Sequence, residues 1–127
     1  MKDQTAIKLL LVTKNALLPE LVSTFDYEID WYNGDLSRLT TQIQADVVVY
    51  DSFSYGIKPL EEEKWQHRAL IILDVYNQQL FIDNLISDNN RAYLLIDDFL
   101  GELPTAIEQL LGGTNYLTSK LSCEFNP

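Results

Sequence analysis

The stretch ADVVVYDSF (residues 45–53) decides the fold. Its apolar residues follow one another without alternation, which is typical of a strand covered on both faces of a parallel sheet. The run ends on Asp51, so the strand would carry a carboxylate to the edge of the sheet. Asp51 is therefore either a chemical centre or a residue that forms a turn.

Four more strands can be read on either side of this one. Three are continuously apolar, IKLLLV (7–12), ALIIL (69–73) and AYLLI (92–96), while YEIDWY (27–32) alternates as an edge strand does. Segments with helical spacing of apolar residues separate them. These predicted helices cover residues 15–25, capped by Asn15, 34–43, capped by Asp35, 59–66, 77–86 and 102–113, the last stopped by Gly112 and Gly113.

The alternation of strands and helices predicts an α/β fold. Right-handed crossovers turn it into a doubly wound, five-stranded parallel sheet of the flavodoxin-like order 2-1-3-4-5. In this order the chain changes direction between strands 1 and 3, where ligands usually sit. Lys14 follows strand 1 and Asp51 ends strand 3, so both are predicted at the switch point.

Composition limits the function classes. The 127 residues fit one domain. Nine basic against 19 acidic side chains give a net charge of −10, so we expect no binding to DNA or to anionic membranes through this chain. The single cysteine, Cys123, excludes an internal disulfide. No apolar run approaches the roughly 18 residues of a membrane helix, so a soluble, cytoplasmic protein is expected.

Residues 92–121, AYLLIDDFLGELPTAIEQLLGGTNYLTSKL, carry a family resemblance. They resemble the last strand, last helix and exit segment of the receiver domains of LuxR/FixJ-type response regulators. The resemblance spans residues 7–121 and implies a CheY-like fold. By position, Asp51 matches the phosphoacceptor aspartate of that family.

The other functional positions of the family differ here. Thr13 and Lys14 replace the acidic pair that holds Mg²⁺, Asp74 replaces a Ser or Thr, and Ile96 replaces a Lys. A hydroxyl and an ammonium cannot replace two carboxylates on a hard cation. We therefore expect no metal, no phosphorylation of Asp51, no catalytic residues and no enzymatic activity.

The residues that differ from the usual receiver pattern resemble those of one subgroup of the family. Thr-Lys after strand 1, Ile96 before an acidic pair, and YLTSKL (116–121) are similar to the CsgD and VpsT group of biofilm-matrix regulators. The resemblance implies a degenerate receiver (residues 1–121) and the start of a linker or extra helix (122–127). A helix-turn-helix domain outside this chain would then bind DNA, and dimerisation or a ligand would regulate the protein. The alternative is a stand-alone, receiver-like adaptor that binds a protein partner.

The resemblance also marks a dimer or ligand segment, whose residues are Tyr116, Leu117, Thr118, Ser119 and Lys120. VpsT-like members read cyclic di-GMP through an aromatic, apolar, Ser/Thr, Arg motif. Ser119 stands where the arginine would be, and neither Ser119 nor Lys120 offers its planar guanidinium. No cofactor is therefore expected. Self-association is expected through the helix ELPTAIEQLL (102–111) or through the exit segment TNYLTSKLSCEF (114–125), and the resemblance favours the exit segment. The exit segment is predicted to open an additional helix and to form a homodimer interface.

For Asp51 itself, three roles stand side by side: a turn former, a phosphoacceptor, and the partner of Lys14 in an ion pair. We predict the ion pair, with the two charged groups within about 4 Å. A flavin site is not expected, because TKNALLPE (13–20) lacks the glycine-rich turn that binds phosphate. His67 is predicted on the surface, and Trp31, Tyr32 and Trp65 lie either in the core or on a partner surface.

Overall fold

Five parallel strands form the body of the protein. The computed structural model describes residues 6–39, 43–56, 58–61, 65, 68–75 and 90–117. The strands are β1 (Lys8–Val12), β2 (Glu28–Tyr32), β3 (Val47–Asp51), β4 (Leu70–Asp74) and β5 (Arg91–Leu95). Each agrees with its predicted segment to within one residue at either end.

A short strand, β6 (Tyr116–Leu117), completes a sheet of order β2-β1-β3-β4-β5-β6. The predicted order 2-1-3-4-5 is confirmed, and the sixth strand is an addition at the β5 side. It runs parallel to β5, with Leu117 opposite Tyr93. The prediction that a helix opens at Tyr116 is wrong, because Tyr116 and Leu117 pair with a neighbouring strand. Residues 118–121 of that segment lie outside the described residues.

The sheet is covered on both sides, as the apolar runs require. On one side, the helices α1 (Leu17–Val22) and α3 (Phe99–Leu111) pack on side chains such as Val49 and Ile71. On the other side, Trp65 packs against side chains that include Tyr50 and Ile72. Trp65 is therefore a core residue, whereas Trp31 is 42% exposed.

The ends of α1 and α3 follow the sequence signals only in part. The N-cap of α1 is Ala16, which makes no side-chain cap hydrogen bond, and not the predicted Asn15. Asn15 Oδ1 still accepts the amide of Leu17 at 3.0 Å and so satisfies a free N–H at the start of the helix. α3 begins at Phe99, before the predicted residue 102, and ends at Leu111, with Gly112 as its C-cap. Gly113 follows with φ 89°, a backbone conformation that favours glycine.

Two of the predicted helices contain 3₁₀ turns. Residues 34–43 contain a 3₁₀ turn, Leu36–Arg38, which begins where Asp35 Oδ1 accepts the amide of Ser37 (3.0 Å), and Leu39 is already extended. Leu36 and Leu39, three residues apart, fit a single 3₁₀ turn as well as an α-helix. After residue 56, a second 3₁₀ turn spans Lys58–Glu61.

Three predictions concern residues outside the described part of the chain: the helix over residues 77–86, the surface position of His67 and the domain boundary at residue 121.

A short helix, α2 (Ser52–Tyr55), follows β3 directly. None of the helices in the described part of the chain is long and apolar enough to cross a lipid bilayer.

Candidate functional site

Asp51 lies at the switch point, at the end of β3, with 7% of its surface exposed. Its carboxylate accepts three hydrogen bonds. The hydroxyls of Thr13 and Ser54 donate to Oδ2 at 2.7 and 2.8 Å, and the amide of Phe53 donates to Oδ1 at 3.0 Å. Hydrogen bonds to a carboxylate are among the stronger ones in proteins, so they offset the cost of burying this charge.

The bond from Phe53 explains the local fold. Asp51 is the N-cap of α2, and a side-chain oxygen at this position satisfies an amide that has no partner within the helix. Ser54 lies three residues later and turns its hydroxyl back to the cap. Asp51 therefore combines the turn-forming role with a place at the switch point.

Thr13 and Ser54 also connect the loop after β1 to α2. Thr13 is fully buried, and its Oγ1 accepts the amide of Asn15 at 3.0 Å. The amide of Lys14 donates to Ser54 Oγ at 2.9 Å. The indole Nε1 of Trp31, near the end of β2, donates to the carbonyl oxygen of Thr13 at 2.9 Å. Side chains from three neighbouring strands and loops thus hold the Asp51 carboxylate in place.

The predicted ion pair between Lys14 and Asp51 is wrong. The Lys14 side chain is exposed, and its Nζ lies 5.0 Å from the centre of the Tyr55 ring, a cation–π contact. An ion pair is found elsewhere, between Lys8 and Glu28 at 4.0 Å. The two hydroxyls reach the carboxylate without desolvating an ammonium, which explains why they replace Lys14 there.

Asp74 forms a second buried carboxylate at the end of β4, with 4% of its surface exposed. The hydroxyl of Tyr93 donates to its Oδ2 at 2.6 Å, and the amide of Val75 donates to Oδ1 at 2.8 Å. Tyr93 on β5 is fully buried. The sequence analysis did not identify Tyr93, yet the register contains the signal. Tyr93 lies opposite Ile72, and Asp74, two residues further along β4, faces the same side of the sheet.

Ile96, the fifth predicted site residue, begins a 3₁₀ turn, Ile96–Asp98, directly after β5. Its side chain is exposed, and Asp97 beside it is exposed as well. Within the described residues, no three His, Cys, Asp or Glu side chains come together so that they could hold a metal ion. At the switch point, Asp51 is bonded to two hydroxyls, and the ammonium of Lys14 lies nearby over the Tyr55 ring. These residues do not fit the Mg²⁺ of phosphorylated receivers, because Mg²⁺ prefers several oxygen ligands.

The dimer or ligand segment is described for its first two residues only, and Thr118, Ser119 and Lys120 lie outside the described part. The hydroxyl of Tyr116 donates to Oε1 of Glu102 on α3 at 2.6 Å. Burial, then the bond to Glu102 and the charges of Glu102 and Asp98, raise the pKa of Tyr116 to about 12. This bond fastens β6 to α3.

We expect an alkaline loss of stability that depends on Tyr116. In an unfolded chain a tyrosine ionises near pH 10, whereas folded Tyr116 keeps its proton up to about pH 12. Between these values the unfolded state binds fewer protons than the folded state, so stability falls as the pH rises. Tyr116→Phe should make this fall less steep in urea unfolding experiments. Equal slopes for the two proteins would contradict the raised pKa.

Comparison with known proteins identifies solved structures with a similar fold. No protein-family model and no curated protein matches the sequence. Solved structures do match. The isolated REC domain of RcsB from Salmonella enterica serovar Typhimurium is similar in its apo form (TM-score 0.70, 13% identity, covering 95% of this chain and 99% of that one). Its form with the phosphomimetic BeF₃⁻ gives a TM-score of 0.66 at 11% identity, covering 93% and 97% of the two chains.

A third similar structure is the signal receiver domain of an HD domain-containing protein from Pseudomonas fluorescens Pf-5 (TM-score 0.61, 17% identity, covering 88% of this chain and 91% of that one). Identities this low establish the fold alone. Together with the parallel sheet and its strand order, they show that this chain has the flavodoxin-like fold of a response-regulator receiver domain.

Proposed function

We propose that this chain is a receiver-like regulatory domain that works without phosphorylation, of the type found in LuxR/CsgD-type regulators of transcription. The observation that carries the proposal is the hydrogen bonding of Asp51. Both hydroxyl donors bind Oδ2 and the Phe53 amide binds Oδ1, so both carboxylate oxygens are already engaged. Phosphoryl transfer also needs a cation to neutralise charge, and the Lys14 ammonium lies over the Tyr55 ring instead.

The first test is exposure to a phosphoryl donor. We expect acetyl phosphate or beryllofluoride with Mg²⁺ to leave the intact mass and the tryptophan fluorescence unchanged. Trp31 is a suitable probe, because its indole bonds to Thr13, the direct neighbour of Asp51 in space. A phosphorylatable receiver domain is the positive control. A stable added phosphoryl group that is lost in Asp51→Asn would overturn the proposal.

The output that we propose is self-association through the segment that begins at Tyr116. β6 adds the first two residues of this segment to the edge of the sheet beside β5, and this edge position supports a role in contacts with another copy. A net charge of −10 disfavours direct contact with nucleic acid, so DNA binding would belong to another domain. A ligand or a partner would then replace phosphate as the input.

Self-association predicts a concentration-dependent mass. We expect light scattering to show wild-type dimers that weaken in Tyr116→Ala and in Leu121→Asp, because each removes an apolar group from the same segment. Leu111→Asp is a matched control, since Leu111 is an exposed leucine at the end of α3. Identical masses for all four proteins at every concentration would remove this segment from the interface.

The alternative function, a receiver-like adaptor for a protein partner, is favoured by a different observation. Phe53, two residues after Asp51, is 77% exposed. An exposed phenylalanine at the position where receivers carry out their chemistry fits a contact surface better than a reaction site.

A further inference from the structure

Most of the exposed large apolar side chains lie at one edge of the sheet. In the described part of the chain eight such side chains are exposed. Five of them stand at or shortly after the carboxyl end of a strand, and we call these five the apolar rim: Leu17, Trp31, Phe53, Val75 and Ile96. Single exposed apolar residues are ordinary, but a set that shares one edge indicates a contact surface.

The strand order places the apolar rim in a row. Trp31 lies in β2, and the other four members follow the ends of β1, β3, β4 and β5. In the strand order, the row therefore crosses four strand spacings. At about 4.8 Å per spacing, it is about 19 Å long. The carboxylates of Asp51 and Asp74 are buried at the same edge and already bonded to hydroxyls. The apolar rim therefore offers apolar contact rather than carboxylate chemistry.

Acidic side chains lie at both ends of the row. Asp35 follows β2, and Asp97 and Asp98 follow β5, while the whole chain carries a charge of −10. Asp35 and Asp97 are exposed. A complementary partner for the apolar rim is therefore apolar in its centre and positively charged at its ends, and a second copy of the same acidic surface does not meet this description.

We propose that the apolar rim binds a basic amphipathic helix of a partner protein. A helix of about 13 residues spans about 19 Å at 1.5 Å per residue. Helix rather than strand follows from the construction of the surface, since it consists of side chains that follow strand ends and offers no open strand backbone to extend. This inference goes beyond the proposed function and holds whether or not the chain self-associates.

The test uses a fluorescent Leu/Lys peptide of that length whose leucines form one helical stripe. We expect the wild-type protein to bind it, and Phe53→Ser and Ile96→Ser each to weaken binding about tenfold, as the loss of an apolar contact that the partner covers does. Leu111→Ser, an exposed leucine outside the apolar rim, should change the affinity less than about twofold. All three positions are exposed, and circular dichroism checks that each variant is folded.

Two control peptides distinguish the contribution of the apolar stripe to binding from the contribution of the positive charge. A Leu/Lys peptide of the same composition without a stripe, and a Leu/Glu peptide with it, should both bind at least about tenfold more weakly than the probe. Equal affinities for wild type, Phe53→Ser and Ile96→Ser, or equal affinities for the three peptides, would overturn the proposal. So would a wild-type dimer in light scattering that Phe53→Ser dissociates, because the occupant would then be a second copy.

Discussion

Replacing Asp51 by alanine is expected to lower the free energy of unfolding by about 2–4 kcal/mol. The substitution removes the acceptor for the hydroxyls of Thr13 and Ser54 and for the amide of Phe53. Thr13 is fully buried, so its hydroxyl has little access to water as a substitute. Loss of an N-cap alone typically costs about 1 kcal/mol, and a buried donor without an acceptor adds to this.

Lys14→Ala is the matched control, because it changes the charge at the switch point and leaves the three hydrogen bonds in place. It should lower the free energy of unfolding by less than about 1 kcal/mol, the contribution of an exposed cation–π contact. Urea unfolding of both variants measures the difference. If Lys14→Ala destabilised the protein as much as Asp51→Ala, an ion pair rather than the hydroxyls would be the main stabiliser of Asp51.

The second large effect is expected from Tyr93→Phe, which should lower the free energy of unfolding by about 1–3 kcal/mol. The phenyl ring keeps the packing in the core, but the carboxylate of Asp74, buried at the end of β4, loses the hydroxyl donor at 2.6 Å. A buried charge that loses a donor carries a desolvation cost that an exposed one does not.

A double-mutant cycle with Asp74→Asn isolates this contact from the other interactions of the two residues. We expect the two substitutions to be non-additive, with a coupling energy of about 1 kcal/mol or more. Additive effects would mean that the Tyr93 hydroxyl and the Asp74 carboxylate do not stabilise each other.

The sheet could be predicted from the sequence because its signal is long and local. Apolar runs such as VVVY leave no alternation for a half-exposed strand, and the alternating pattern of YEIDWY places β2 at an edge. β6 could not be found in this way, because two residues are too few for a period. The segment from Gly34 onward was overestimated for a related reason, since Leu36 and Leu39 fit a single turn of either helix type.

The candidate site was predicted in position but not in bonding. The strand order brought Thr13, Lys14, Asp51 and Asp74 to the same edge, as expected from the switch point. Charge alone then suggested a pair between Lys14 and Asp51. In a sequence, a lysine is easily recognised as a partner for a carboxylate, whereas a Ser, Thr or Tyr hydroxyl is not. A hydroxyl can nevertheless donate to a buried carboxylate without the desolvation of a second charge. Ser54 and Tyr93 were missed for the same reason.

The parallel pairing of β6 has a mechanical consequence. Because Leu117 lies opposite Tyr93, tension on the chain beyond residue 117 would act first on a strand of two residues and on the bond from Tyr116 to Glu102. A strand of two residues is expected to yield before the five-residue strands do. We therefore expect β6 to separate from the sheet first under tension. Peeling it away would uncover the backbone of β5 next to Tyr93 and turn a pull on the chain into a change in the sheet.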